Sequence, residues 1–262
     1  MSVSLVDSHC HLDRLDFHKL GGNLDHIIKI ASEQNVTHML CVSITLEDFP
    51  AVRRLAHQYP NVYASVGVHP NEIDGRDPSI EELVKIASED EKIIAIGETG
   101  LDYFRSEGDL EWQRQRFRNH IRAAIASNKP LIIHTRDAEA DTLAIMVEER
   151  AHQIGGVMHC FTGSLAMAKA AIEMGFYISF SGIITFNNTE KLQDVARQVP
   201  CDRLLVETDA PYLTPVPQRG KANHPANTRL VAEQMARLRG ESIDTIMAQT
   251  TQNFTDLFKI EI

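Results

Sequence analysis

The chain has 262 residues, of which 43% are hydrophobic and 24% are charged, a balance that excludes a disordered protein and allows one large folded domain. Its 26 Lys and Arg residues against 36 Asp and Glu residues give a formal net charge of −10, which excludes a broad basic surface for non-specific binding of duplex nucleic acid or anionic lipid. An anionic ligand would therefore need a local basic pocket.

Signals for membranes and secretion are missing from the sequence. The apolar runs end after a few residues, far short of the roughly 20 that cross a bilayer. The first residues, MSVSLVDSHCH, have neither the basic nor the apolar region of a secretory signal. The four cysteines stand far apart without a CxxC pair, which favours reduced thiols over a disulfide framework. We therefore expect a cytoplasmic protein that has no membrane partner.

Short apolar, β-branched runs alternate with longer amphipathic stretches, the pattern of βα units around a parallel sheet. The eight runs are residues 4–11, 37–43, 62–68, 92–98, 130–135, 156–161, 176–181 and 203–209. Helices are predicted over residues 24–34, 48–58, 80–88 and 109–127, among others. Asp48 and Ser79 precede two of these helices as expected N-caps.

Eight strands with intervening helices are the count of a closed (β/α)8 barrel, the TIM barrel, which leaves no sheet edge exposed. A doubly wound open sheet is the alternative. No repeat, low-complexity segment or interdomain linker interrupts the chain. The prediction is therefore an α/β protein with a single barrel domain over residues 1–262.

Ionisable side chains lie at the C-terminal ends of five of the predicted strands, where such barrels place their active sites. They are His9, His11, Glu98, His134, His159 and Asp209. Because side chains alternate along a strand, His9 and His11 share one face and Cys10 points to the other. A lone HxH is weak support for a metal site, but six costly ionisable groups do not gather at apolar strand ends by chance.

Imidazole and carboxylate ligands together favour a transition-type ion, although Mg²⁺ is not excluded. The residues suffice for two ions, since His134 and His159 can complete a second position beside the first. In a two-metal site one ion activates water and the pair holds the attacking and leaving oxygens, which is hydrolysis without a covalent nucleophile. The sequence therefore predicts a hydrolase with two divalent ions, Zn, Mn, Mg, Fe or Co.

Nine short motifs run through almost the whole chain. They are DSHCHLD (7–13), GVHP (67–70), GETGLDY (97–103), HTRDA (134–138), HCFTG (159–163), SFSG (179–182), ETDAPYL (207–213), RGKANHP (219–225) and NFTDLF (253–258). In this order they resemble the TatD-related metal-dependent deoxyribonucleases, a branch of the amidohydrolase-like barrels.

The resemblance implies a nuclease that cleaves phosphodiester bonds of DNA by attack of a metal-activated water. Because a site in a barrel mouth cannot reach the middle of an unbent duplex, we expect an exonuclease that prefers single strands or ends. One metal would be held by His9, His11, Glu98 and Asp209, and the other by Glu98, His134 and His159. Glu98 would bridge the two ions. Asp209 would also accept a proton from the water as the general base, so Glu98 and Asp209 are the expected catalytic residues.

Further polar residues are candidates for substrate binding. Arg136 offers a planar fork to a phosphate, or forms a salt bridge with Asp137 or Glu139. The loop after Asp209 carries Arg219, Lys221 and Asn223, which form a basic pocket or are merely solvated. His69 and Tyr103 contact the substrate or pack at the strand ends.

Alternatives stay open for two carboxylates near the predicted ligands and for the overall activity. Glu207 shares strand parity with Asp209, and Asp7 with His9, so each can orient a ligand imidazole or bind another polar group. The alternative activity is hydrolysis of a small amide, lactone or phosphoester on the same metals. A non-catalytic metal protein is disfavoured, because six ligands exceed the four that close a structural zinc site. DNA is the expected partner and a monomer the expected state.

Overall fold

The computed structural model describes residues 3–262, in which eight strands alternate with helices along the chain. The strands are β1 Leu5–Cys10, β2 Val36–Cys41, β3 Val62–Val66, β4 Ile93–Asp102, β5 Leu131–Arg136, β6 Gly156–Met158, β7 Phe176–Phe180 and β8 Leu204–Val206. The α-helices are α1 Phe17–Leu20, α2 Leu24–Glu33, α3 Phe49–Gln58, α4 Ile80–Glu89, α5 Glu111–Ser127, α6 Glu139–Glu148, α7 Leu165–Glu173, α8 Glu190–Gln198, α9 Thr228–Arg239 and α10 Ile243–Phe258. Within the described residues no helix has the length and apolar character needed to cross a bilayer.

The eight strands belong to one sheet and follow one another in chain order from β1 to β8. The pairs β1–β2, β3–β4, β4–β5, β5–β6 and β7–β8 are parallel. Every residue of β1, β4, β6, β7 and β8 is buried, as expected for parallel strands covered on both faces. A doubly wound sheet does not keep all consecutive strands as neighbours, so that alternative is excluded.

The observed strand ends differ from the predicted ones where they matter for the site. β4 continues past its predicted end at Glu98 as far as Asp102. Gly97 and Gly100 within it have φ of +146° and +131°, and a Cβ on Gly100 would collide with the carbonyl oxygen of His134. These glycines therefore let the strand run closely along β5 instead of ending it.

The chain folds into two compact units. The first comprises the described part of Met1–Cys41 together with Ile178–Ile262. In it α10 packs against β1 and β8, and the Nδ2 of Asn253 donates to the carbonyl oxygens of Cys201 and Leu204 at 2.7 and 2.8 Å. These bonds fix the last helix to the start of β8. The expectation of a single domain stays a prediction.

The second unit is Val42–Tyr177. Here α5 packs against β4, and its buried His120 accepts the backbone N–H of Val68 at its Nε2 over 3.0 Å. Ser79 caps α4 as predicted, because its hydroxyl oxygen accepts the N–H of Glu82 at 3.1 Å. Asp48 occupies the N-cap position of α3 without a side-chain cap bond.

Candidate metal centre

The first group of ligand-type side chains lies in the first unit, at the end of β1 and in the loop after β8. The Nε2 atoms of His9 and His11 are 3.3 Å apart. Oδ1 of Asp209 lies 3.7 Å from Nε2 of His9 and 3.4 Å from Nε2 of His11. Both histidines are buried, whereas the Asp209 side chain is 13% exposed. Two imidazole nitrogens and one carboxylate oxygen therefore converge on one point that solvent can reach.

Side-chain alternation produces this convergence. Cys10, between the two histidines, turns away, and its Sγ faces the carbonyl oxygen of Leu40 at 3.5 Å. Thr208 turns instead toward Asp7 and donates to that carboxylate from its N–H at 2.9 Å and its hydroxyl at 2.5 Å. Burial raises the pKa of Asp7 to about 7, against the bonds from Thr208, which lower it. Asp7 thus joins β1 to the loop after β8 rather than facing a ligand imidazole.

A strained turn presents the Asp209 carboxylate. Asp209 has φ of +55°, a left-handed conformation that costs a non-glycine residue on the order of 1–3 kcal/mol. Its N–H donates to the carbonyl oxygen of His9 at 2.9 Å. The Nδ2 of Asn223 donates to the carbonyl oxygens of Thr208 at 3.1 Å and Tyr212 at 2.5 Å, so that one amide fastens the turn on both sides of Asp209.

Asn223 therefore differs from its predicted role in substrate binding. It is fully buried, and its Oδ1 accepts from the N–H of His224 at 2.9 Å and from Nδ2 of Asn227 at 2.8 Å. Because Nδ2 and Oδ1 both form hydrogen bonds within the protein, we infer that Asn223 stabilises the turn at Asp209. Glu207 is also fully buried, and one of its carboxylate oxygens lies within 4.8 Å of a ring nitrogen of His9. This position suits the predicted orienting role.

The second group lies in the second unit, around the buried carboxylate of Glu98 on β4. Its Oε1 lies 2.7 Å from Nε2 of His159, 3.2 Å from Nδ1 of His134 and 3.3 Å from Nε2 of His69. His134 belongs to β5, and His159 follows β6, where its N–H donates to the carbonyl oxygen of Ile133 at 3.0 Å. Neighbouring parallel strands thus bring the three imidazoles to one carboxylate.

Asp102 orients the His134 ring from the side opposite Glu98. Its Oδ2 lies 3.1 Å from Nε2 of His134 and accepts from Nδ2 of Asn71 at 2.8 Å. With its proton on Nε2 for this bond, His134 keeps a lone pair on Nδ1, the nitrogen that faces Glu98. A carboxylate behind a ligand imidazole fixes the tautomer and raises the basicity of the ligand.

His69 has the opposite arrangement. Its Nδ1 accepts the backbone N–H of Asn71 at 3.0 Å, so the neutral ring carries its proton on Nε2. That N–H points at Oε1 of Glu98, 3.3 Å away. Burial lowers the pKa of His69, which keeps the ring neutral. His69 is therefore a hydrogen-bond donor at the edge of the group rather than a lone-pair ligand.

The charges in the second group favour an ionised carboxylate. Burial alone would raise the pKa of Glu98, but His159, His69 and His134 outweigh it and hold the pKa well below its usual range. Burial likewise opposes the charge on His134, while Asp102 and Glu98 raise the pKa of that ring. An anionic oxygen surrounded by imidazoles is therefore the resting state of this group.

Both groups fit a divalent metal ion. Imidazole nitrogens and ionised carboxylates are the donors that Zn²⁺, Mn²⁺, Fe²⁺ and Co²⁺ bind in proteins. Each group offers about three such donors within a few ångströms. Taken group by group, three donors are fewer than the four protein ligands that close a structural zinc site.

A family model described as "TatD related DNase" matches residues 6–259. The chain belongs to this family. Among its TatD-family relatives, the uncharacterized metal-dependent hydrolase YcfH of Escherichia coli K12 is 49% identical over 258 residues, which cover 98% of this chain and 96% of the relative. The uncharacterized metal-dependent hydrolase YabD of Bacillus subtilis is 40% identical over 258 residues, with 98% and 99% covered.

Among solved TatD structures, the TatD homologue YJJV of Escherichia coli K12 superimposes with a TM-score of 0.89 at 29% identity and covers 98% of both chains. A TatD-family hydrolase from Entamoeba histolytica has the same fold, with a TM-score of 0.83 at 24% identity, covering 98% of this chain and 99% of that one. The predicted (β/α)8 fold class and the predicted TatD resemblance are therefore both confirmed.

The predicted phosphate contact of this TatD-family chain, Arg136, lies at the end of β5. Its guanidinium lies over the ring of Phe104, with Cζ 3.7 Å from the ring centroid. It forms no salt bridge with Asp137 or Glu139 in the described chain, and Glu139 instead accepts from the N–H of Ser164 at 2.6 Å. The alternative of a salt bridge is thus not observed, and phosphate binding by Arg136 stays a prediction.

The other predicted substrate contacts differ in how far their polar groups already bond to the protein. The Tyr103 hydroxyl donates to Asp141 at 2.6 Å and accepts from Arg114 at 3.0 Å, so only its half-buried ring remains for a substrate. Arg219 is exposed and stacks on Phe186, with Cζ 4.1 Å from the ring centroid. Lys221 is exposed as well, and its Nζ donates to Oε1 of Gln218 at 2.8 Å. These bonds are to neutral groups, so both positive charges remain available to an anion.

Sequence reasoning missed Asp102 and Asn71. Asp102 has the strand parity of Glu98, which would have placed it on the same face if the strand had been continued through Gly100. Asn71 follows the GVHP motif in a loop, and its contacts with Asp102 and His69 depend on folding that spacing alone does not show.

Proposed function

We propose that this TatD-family chain is a divalent-metal-dependent deoxyribonuclease, an exonuclease that hydrolyses phosphodiester bonds of DNA and prefers single strands or ends. The observation that carries the proposal is the pair of three-donor groups, one around Asp209 and one around Glu98. The family description as a DNase and the relatives named metal-dependent hydrolases support it.

His9, His11 and Asp209 would hold one ion, and Glu98, His134 and His159 would hold the other. A bound divalent ion lowers the pKa of water and stabilises charge that develops on phosphoryl oxygens. The protein residues supply the remaining functions, which are orientation, proton transfer and phosphate binding.

Asp209 is suited to accept the proton of the attacking water, because its carboxylate is reached by solvent and the two imidazoles beside it are buried. Glu98 stays ionised among its imidazoles. The Nε2–H of His69 is a neutral donor that can bind a phosphate oxygen near Glu98. Asp102 keeps His134 in the tautomer that faces Glu98.

The test is the substitution Glu98→Gln with Glu107→Gln as the matched control, because Glu107 is an exposed carboxylate in the loop after β4. Removal of the buried charge should lower the bound metal content by about one ion and slow hydrolysis of end-labelled single-stranded DNA at least a hundredfold, more than is typical for the loss of a residue behind a ligand. Elemental analysis and gel assays measure the two effects. Retention of both ions and of activity would refute the role of Glu98 as a metal ligand.

The same preparation decides between DNA and the alternative substrates. We expect linear single strands to be degraded faster than covalently closed duplex circles, and small amides and lactones to be left intact. Hydrolysis of an amide or lactone without any cleavage of DNA would replace the nuclease proposal by the small-molecule alternative.

A further inference from the structure

Phe104 is an exposed aromatic side chain next to the second ligand group. It lies in the loop after β4 and is 61% exposed, while the Arg136 guanidinium covers part of its ring at 3.7 Å. Phe104 and Arg136 come two residues after Asp102 and His134, which contact each other at 3.1 Å. Single exposed apolar side chains are common on protein surfaces, so it is the cation over this ring that distinguishes Phe104.

The strands β4 and β5, which carry Glu98 and His134, also position Phe104 and Arg136. The Oδ1 of Asp102 accepts the backbone N–H groups of Phe104 and Arg105, each at 3.0 Å, while its Oδ2 faces His134. The N–H of Tyr103 donates to the carbonyl oxygen of Arg136 at 2.9 Å and extends the β4–β5 pairing. One carboxylate thus positions both a ligand imidazole and the loop that carries Phe104.

Arg136 differs in charge environment from the arginines of α5. The four arginines of α5 each form an ion pair with a carboxylate; they are Arg114, Arg116, Arg118 and Arg122. Neither Arg136 nor the exposed Arg105 has a carboxylate partner within the described residues. A guanidinium placed over an aromatic ring can still donate its N–H groups to a phosphate.

We infer that the Phe104–Arg136 stack is a nucleobase subsite: the exposed surface of Phe104 stacks on a base of a single-stranded polynucleotide while Arg136 binds the adjoining phosphate. Aromatic platforms flanked by cations bind unpaired strands with little sequence preference, since every base has a π face. The inference rests on the proposed function in one respect, that the phosphodiester beside the stacked base is the one presented for hydrolysis. The stacking itself needs no metal.

The test is fluorescence of 2-aminopurine in a short oligodeoxythymidylate, titrated with chelator-treated protein so that no strand is cut. Stacking on Phe104 should quench the probe. Phe104→Leu keeps an apolar side chain but removes the π face, so the Kd should rise about tenfold and the quenching should be lost. Phe104→Trp keeps a π face and should retain the Kd and the quenching of the parent. Val147→Ala, which trims a side chain 64% exposed on α6, is the control and should bind as the parent does.

The same titration with a matched oligoribonucleotide and with a blunt duplex shows which kind of nucleic acid binds. We expect the protein to quench the probe in single-stranded DNA and RNA but not in the duplex, because Phe104 would contact an unpaired base and not the sugar. An equal Kd for the parent and Phe104→Leu, or an unquenched probe with the parent, would overturn the subsite. Phe104-dependent binding by a protein that cleaves no DNA would keep the subsite and remove the nuclease proposal. If the protein cleaves DNA and Phe104→Leu binds the strand as the parent does, the nuclease proposal stands and the subsite is lost.

Discussion

Asp102 shows how one buried carboxylate serves two neighbouring functions. It accepts hydrogen bonds from a ligand-type imidazole, from Asn71 and from the loop backbone that carries Phe104. Burial would raise the pKa of Asp102, but its bonds with His134 and Asn71 hold the pKa well below the usual range. The anion is therefore present throughout the pH range in which imidazoles bind metals.

Asp102→Asn should weaken metal binding by the second group about 10–100-fold, the usual effect of removing a carboxylate behind a ligand histidine. The amide is similar in size but supplies no charge to His134. Isothermal titration with Mn²⁺ or Zn²⁺ at neutral pH measures the effect. Asp74→Asn, in an exposed loop of the same unit, is the control, and equal affinities for the two variants would contradict the orienting role.

His120 makes the stability of the fold depend on pH. Burial lowers the pKa of its ring to about 4, although the bond between Nδ1 and the carbonyl oxygen of Arg116, at 2.8 Å, acts in the opposite direction. The Nε2 lone pair accepts the N–H of Val68, so a proton there would break that bond. Between about pH 6.5 and pH 4 the unfolded chain binds a proton here that the folded chain does not. The free energy of unfolding therefore falls as the pH falls through this window.

The expected size of this effect is about 2 kcal/mol between pH 7 and pH 5. Urea unfolding of the parent and of His120→Gln at both pH values measures it. The glutamine does not titrate, so the parent should lose about 2 kcal/mol more than the variant on acidification. Identical losses in the two proteins would show that His120 is not held neutral by the fold.

At the scale of elements, the alternation of apolar runs predicts all eight strands because parallel strands are buried on both faces and read as continuous β-branched runs. The end of β4 could not be predicted in this way. Glycine usually marks turns, whereas Gly97 and Gly100 allow close approach to β5. Asp102 was missed for this reason alone.

Gly100→Ala should destabilise the protein by about 3 kcal/mol or more, because the new methyl group combines a positive φ with a collision against the His134 carbonyl oxygen. Gly108→Ala is the matched control. Gly108 has φ of +82° and open space around it, so only the conformational cost of about 1–2 kcal/mol applies. Urea midpoints compare the two, and equal destabilisation would show that β4 does not depend on the close approach.

At the scale of the whole molecule, strand-end position predicts the ligand-type residues that converge within each of the two groups, because parallel strands end on the same side of the sheet. The same reasoning fails for loops. Asn223 follows Asp209 and is a plausible substrate contact by position, yet the folded loop buries its amide and uses it to fasten the Asp209 turn. Loop roles depend on long-range hydrogen bonds that spacing does not encode.

The net charge of −10 repels a polyanion, so DNA binding has to depend on a few local cations. If Arg136, Arg219 and Lys221 provide two or three phosphate contacts, the logarithm of the binding constant should fall with the logarithm of salt at a slope of about −1.4 to −2.1 for single strands.

Replacing Arg219 and Lys221 together by Ala should flatten this slope by up to about 1.4 and raise KM for DNA, since both side chains are exposed and have only neutral partners. A double Ala variant of Lys85 and Lys191, exposed on α4 and α8, changes the net charge equally and should keep the parent slope. If both double variants shift the slope by the same amount, the salt dependence arises from total charge and not from the loop after Asp209.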